Sequence, residues 1–133
     1  MINYVTLGAN DLERAGRFYD SLLIPLGYGR LATYAQEIGY GSPPQPGAAA
    51  TIPLWITRPF DGQKATFGNG VDVAFAAPSR AAVDDFYAAA MSAGGQDEGA
   101  PGLRTAYGPN FYTAYVRDLD GNKLNAVFNQ PID

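Results

Sequence analysis

Histidine and cysteine are both absent from this 133-residue chain, and that absence decides which chemistry the remaining side chains can perform. Without imidazole the chain lacks the commonest general base, the commonest transition-metal ligand and any Ser-His or Cys-His nucleophile pair. Without thiols there are no disulfides, no thiolate catalysis and no cysteine-based metal or iron–sulfur site. Carboxylates, phenols, amides and hydroxyls are what is left. An aromatic set, Trp55, Tyr107, Phe111, Tyr112 and Tyr115, suits a pocket with apolar walls and polar tips for a planar or amphipathic ligand, and core packing explains most of it equally well. Side chains alternate along a strand, so Phe111, Thr113 and Tyr115 face opposite to Tyr112, Ala114 and Val116; the expectation is that Phe111 and Tyr115 see the ligand. Arg58 and Arg104 fall at strand ends, where a guanidinium can meet a ligand carboxylate, although an exposed salt bridge is the commoner use.

Other short patterns carry less. Asp118-x-Asp120-x-Asn122 looks like the start of a calcium loop, but the later glycine and the bidentate glutamate are missing, so it reads as a turn. Gly68-x-Gly70 lacks the rest of a dinucleotide fingerprint, and Gly94-Gly95 ends a helix.

The elements that must position these groups follow from local signals. Tyr4 to Gly8 is β-prone and runs into Asn10-Asp11-Leu12-Glu13, where Asn10 or Asp11 can cap a helix and Glu13 can reach back as in a capping box. Leu12, Ala15, Tyr19, Leu22, Leu23 and Leu26 recur at helical spacing until Gly27. Strands are expected at 28–34, 36–41 and 51–58, with a proline-rich loop over 42–50 that cannot join a central ladder. The order then repeats: a strand at 71–77, a helix opened by Pro78-Ser79 and closed by Gly94-Gly95, a loop at 96–102, and strands at 104–107, 111–117 and 123–128. Sliding Tyr4-Val5-Thr6-Leu7 forward by 68 residues lands on Asp72-Val73-Ala74-Phe75, and the same shift carries Phe18-Tyr19 onto Phe86-Tyr87 and Gly27 onto Gly95. A duplicated unit of this kind must bury its apolar face against its twin, which predicts one domain of two modules, 1–60 and 70–133.

The totals bound the function. A net charge of −4 with no basic run makes nucleic acid and anionic membrane surfaces poor partners, and makes a neutral or cationic small molecule the better electrostatic match. No segment approaches the ~20 apolar residues of a membrane helix and none looks like a signal peptide, so a cytoplasmic location is expected.

Two βαβββ modules, the opening strand running into Asp11-Leu12-Glu13-Arg14 and Phe18-Tyr19-Asp20, and the late Arg117-Asp118-x-Asp120-Gly121-Asn122 together resemble the vicinal oxygen chelate superfamily of glyoxalases, bleomycin-resistance proteins and extradiol dioxygenases. The resemblance spans nearly the whole chain, with Leu119 where the late turn usually has proline. It implies an α+β fold in which two βαβββ modules pair to form a curved half-barrel cavity, with a divalent metal held by side chains of the first and last strands of the modules. Those positions fall on Tyr4, Asp72 and Asn125, where such members usually carry His, His and Glu. The fourth falls on Thr57 by the 68-residue shift, with Trp55 next on that face. One carboxylate, a phenol, a hydroxyl and an amide make a weak site for Zn, Ni, Fe(II), Mg or Ca, so no metal and no other cofactor is expected. Tyr4, Asp72 and Asn125 are expected to form a polar network instead.

The leading expectation is a metal-independent protein that binds or sequesters a small apolar or aromatic ligand through Tyr4, Trp55, Thr57, Asp72, Phe111, Tyr115 and Asn125, as a homodimer. A metal-free lyase or isomerase, with Asp72 as catalytic general base and Tyr4 or Asn125 holding the oxyanion, is the enzyme alternative. A metal-dependent lyase or dioxygenase with non-standard ligands, or a non-catalytic partner domain, are the others.

Overall fold

A computed structural model describes residues 1–132, so Asp133 of the expected second module lies outside the described residues. The chain runs β1 (Val5–Gly8), α1 (Leu12–Leu23), a 3₁₀ turn (Ile24–Leu26), β2 (Gly29–Thr33), β3 (Glu37–Gly41) and β4 (Leu54–Thr57). It repeats as β5 (Val73–Ala76), α2 (Arg80–Ser92), β6 (Gln96–Leu103), β7 (Phe111–Arg117) and β8 (Lys123–Asn129). Each module is a four-stranded sheet, ordered β1-β4-β3-β2 and β5-β8-β7-β6. The βαβββ duplication is thus the architecture, an α+β fold.

In both sheets the first strand pairs in parallel with the last, and the other ladders are antiparallel. The parallel pairing needs a crossover, and the helix supplies it. α1 is capped by Asp11, whose carboxylate accepts from the Arg14 amide at 3.1 Å. With the cap at Asp11, Glu13 sits one residue too early for the expected capping box, and it instead lies 3.9 Å from Arg17 in an exposed ion pair. Ser79 caps α2 by accepting from the Ala82 amide.

Alternation along each strand sends Leu7, Ile38, Tyr40, Leu54 and Ile56 toward α1, and Ala114, Val116, Leu124 and Ala126 toward α2. These join Phe18, Tyr19, Leu22, Val83, Phe86 and Ala90 in a single buried cluster that runs through the packed helices of both modules. The opposite face of each sheet lies outside that core and is the open face.

Two strand expectations need correction. Residues 96–102, expected as a loop, form most of β6, and Arg104 to Tyr107, expected as a strand, is a turn in which the Tyr107 amide donates to the Arg104 carbonyl at 2.9 Å. Polar residues, Gly99, Pro101 and Gly102 disguise β6. It lies at the sheet edge with register shifts on both sides of Gly99, where proline and glycine are tolerated.

The modules are also held by a polar clasp. The Asp118 carboxylate accepts from the amides of Asp120 (2.9 Å) and Asn122 (2.8 Å), from the Asn122 side chain (2.8 Å) and from the Tyr19 hydroxyl of α1 (2.5 Å). Asn122 in turn donates to the Gly8 carbonyl of β1 at 3.0 Å. Asp120 accepts from the backbone and side-chain amides of Asn10, whose side-chain oxygen Oδ1 accepts from the Ala65 amide. The turn expected from Asp118 to Asn122 is present, and its carboxylates face the first module.

Candidate functional site

The open face of the second sheet gathers most of the expected site residues. Tyr115 lies opposite Asn125 in the β7–β8 ladder, so the two side chains emerge side by side. Asp72 immediately precedes β5, which lies parallel to β8 on its other flank. The Asn125 amide, 2% exposed, turns its nitrogen to both oxygens of Asp72, at 3.2 and 3.0 Å, and its oxygen to the Thr113 hydroxyl at 3.1 Å.

That triad has a second self-consistent proton arrangement. The Thr113 hydroxyl lies 2.7 Å from the Ala126 carbonyl, and one hydrogen cannot serve both acceptors. If Asp72 is protonated it can donate to the Asn125 oxygen; the reversed amide then donates to Thr113 at 3.1 Å, and Thr113 donates to Ala126. Burial pushes the Asp72 carboxyl above the ordinary carboxylate range, against the pull of Lys123 and Arg117. Amide donation to the ionised form acts in the same direction as those cations.

Phe111 and Tyr115 occupy the same face as Asn125, and Tyr112 the helix face, where its hydroxyl donates to Asp84 at 2.7 Å. Tyr107 meets Phe111 edge-on with ring centroids 5.4 Å apart. Arg104 and Lys123 both lie over the Tyr115 ring, at 5.9 and 5.3 Å from its centroid. Burial, then the Asp72 charge and Tyr107, raise the Tyr115 phenol, and Arg104 opposes them.

Tyr4 stands apart. It precedes β1 on the other sheet, is 57% exposed, and its hydroxyl forms no hydrogen bond within the described residues. The expected three-membered network is therefore corrected: Asp72 and Asn125 meet, Thr113 is the third member, and Tyr4 does not reach them within one chain. The reason is architectural, because the modules join through the core on the helix side of their sheets. Trp55 and Thr57 occupy the open face of the first sheet, Trp55 stacked on Tyr34 at 6.3 Å and Thr57 with its hydroxyl 3.0 Å from the Gln36 carbonyl.

Arg58 and Arg104 form no salt bridge among the described residues, contrary to the exposed pairing expected for them. Arg58 is exposed at the end of β4, and Arg104 donates to the Ala100 carbonyl at 2.8 Å. Lys123 and Thr113 are not in the expected ligand-binding set, although the alternation puts Thr113 on the same strand face as Phe111 and Tyr115. The two-residue spacing of Lys123 from Asn125, and of Thr113 from Tyr115, is the signal that places them on this face.

A cavity of about 260 Å³ lies elsewhere, on the helix side between β1 and β5, lined by Val5, Leu23, Tyr28, Tyr40, Val73 and Phe75 among others. Its phenols are already committed, Tyr28 to the Ala76 carbonyl and Tyr40 to Gly16 and Asp20. Its walls are mostly apolar, with Asn3 the one polar side chain besides those phenols, whereas the open face gathers Asp72, Asn125, Thr113, Arg104 and Lys123 around Tyr115.

The model of the glyoxalase/bleomycin resistance protein/dioxygenase superfamily matches residues 1–126. The chain belongs to this superfamily. Among solved structures, a glyoxalase/bleomycin resistance protein from Albidiferax ferrireducens T118 is 41% identical, with 97% of this chain and 98% of that one covered and a TM-score of 0.81. A lactoylglutathione lyase from Agrobacterium tumefaciens is 19% identical over 96% of this chain and 92% of that one, with a TM-score of 0.61. A family enzyme from Burkholderia phytofirmans PsJN is 17% identical over 97% and 98%, with a TM-score of 0.70. The latter two show the fold alone. No curated protein matches the chain.

The superfamily implies a divalent metal, and the residues here do not fit one. Among the described residues no three His, Cys, Asp or Glu side chains converge. The single carboxylate at the positions the superfamily assigns, Asp72, already accepts from the Asn125 amide, and an amide, a phenol and a threonine hydroxyl add no anionic donor.

Proposed function

We propose that this superfamily member is a metal-independent small-molecule-binding protein that takes an aromatic ligand on its open sheet faces. The observation that carries the reading is the Asp72–Asn125–Thr113 triad, a hydrogen-bonded polar anchor at the place the superfamily uses for metal ligands. Phe111 and Tyr115 beside it supply apolar surface. Tyr4, Trp55 and Thr57 belong to the first module's open face, and in a homodimer a second copy brings that face over the triad. A cytoplasmic location belongs to the same proposal, and no helix is long and apolar enough to cross a membrane. The test is metal analysis and thermal unfolding of purified protein. Less than a tenth of an equivalent of Ni, Zn, Fe or Mn, and no rise in Tm with excess metal, are expected; one tightly held equivalent overturns the proposal.

One observation favours a second reading, a metal-free lyase or isomerase. Asp72 is solvent-accessible and its carboxyl is raised by burial, the direction a general base needs. Asp72→Asn abolishing turnover of a carbonyl substrate, with ligand binding kept, is the outcome this reading requires.

A further inference from the structure

β1 and β5 are counterparts in the repeat, and each is the outer strand of its sheet. The ladders set how the rest of the modules correspond. Leu54 lies opposite Val5 and Leu124 opposite Val73, so the first strands match at a shift of 68 residues and the last strands at 70. Gly8 therefore matches Ala76, and Asn122, which donates to the Gly8 carbonyl, matches Ile52, which has no side-chain donor. The same shift carries Asp118 and Asp120 back to Ala48 and Ala50. The polar clasp has no twin in the first module, and the Ala76 carbonyl is met instead by the Tyr28 hydroxyl at 2.8 Å.

Beside Ala76 lies the cavity of about 260 Å³, walled by Val5, Leu23 and Leu54 of the first module and by Val73 and Phe75 of the second. None of its lining residues carries a charge, so an ion entering it would leave water without a partner. A neutral apolar molecule pays no such penalty. Close-packed interiors hold few voids larger than a water molecule, and an apolar void of about 150 Å³ takes benzene. By that measure the space here suits two fused rings of about nine or ten heavy atoms. Asn3, exposed and part of the lining, can accept from one small donor on such a ring.

We infer that this cavity is a second ligand site, separate from the open sheet faces, and that it takes a neutral two-ring aromatic molecule with one small hydrogen-bonding group. The inference goes beyond the open-face proposal and stands without it. A molecule held there touches both modules at once, on the side of the seam that lacks the polar clasp. Its binding therefore stabilises the union of the modules.

Titration of methyl- and ¹⁵N-labelled protein with indole, and with indole-3-acetate as the same ring bearing a carboxylate, tests the assignment. Indole is expected to shift the methyl signals of Val5, Leu23, Leu54 and Val73, to leave those of Leu12 and Val116 in place, and to raise Tm. Indole-3-acetate is expected to bind at least about tenfold more weakly. Val73→Phe fills the cavity from β5 and Val5→Phe fills it from β1; whichever folds is expected to lose the indole shifts, and the methyl map needs neither. Equal binding of indole-3-acetate overturns the neutral class. Indole shifts confined to the Tyr115 and Asn125 amides overturn the second site and support the open face. Absence of methyl shifts at millimolar indole overturns the inference, as do contacts between the Met1 and Val73 methyls in the free protein, which would show the chain's own start filling the space. Neither of these last results touches the open-face proposal.

Discussion

Asp72 lies between opposed influences, burial favouring its neutral form and Lys123, Arg117 and the Asn125 amide favouring its charge. The folded carboxyl titrates above its unfolded value, so the native state binds the proton more tightly. Its contribution to stability is therefore unfavourable at neutral pH and is relieved as pH falls through the folded value toward the ordinary one. Two outcomes follow at this scale. The Asn125 side-chain amide signals move with the Asp72 titration in NMR spectra, because the amide reverses when the carboxyl gains its proton; pH-independent signals refute the two-arrangement triad. Replacing the amide donor, Asn125→Leu, raises the Asp72 titration point further, measured by ¹³C carboxyl shifts. The Asp72–Asn125 proximity was legible from the repeat and the family resemblance together. Thr113 was not, because a threonine in a β-rich run looks like ordinary strand composition until its neighbour across the ladder is known.

At the scale of elements, the repeat predicts equivalent roles for Gly27 and Gly95, and the structure divides them. Gly27 takes a left-handed φ of 85°, as Gly94 does at 94°. Gly95 is needed for space: a Cβ there would lie 2.9 Å from the Ala90 and Arg117 carbonyl oxygens and 3.0 Å from a Phe18 ring carbon. Gly95→Ala is therefore expected to lower stability by about 1–3 kcal/mol in urea unfolding. Gly29→Ala, where a Cβ meets nothing within 4 Å, should change it by less than about 1 kcal/mol. Equal effects would show that the approach of α1 to the second module is not what requires glycine. Helix boundaries were readable because caps and apolar spacing coincide at Asp11 and Ser79. β6 was not, since an edge strand accepts the glycines and proline that a central strand rejects.

For the whole molecule, the late turn is the lesson in what a sequence hides. Asp118 to Asn122 is recognisable as a turn from its local residues, but nothing local says that Tyr19 occupies the remaining acceptor of Asp118. Tyr19→Phe removes that hydroxyl and leaves the fully buried ring in place. A loss of about 1–3 kcal/mol is expected, seen as a lower denaturant midpoint with unchanged slope. No loss would mean that the clasp is incidental to the union of the modules.

The Tyr19 to Asp118 bond spans 99 residues, and this has a bearing on how the molecule is made. During synthesis the first helix leaves the ribosome long before the turn that satisfies its phenol exists, and loop closure over such a span is slow. The first module must therefore wait with part of its helix surface uncovered until the late turn of the second module has been made. Newly made chains stalled before residue 118 are expected to be protease-sensitive throughout, with protection arriving in both halves at once.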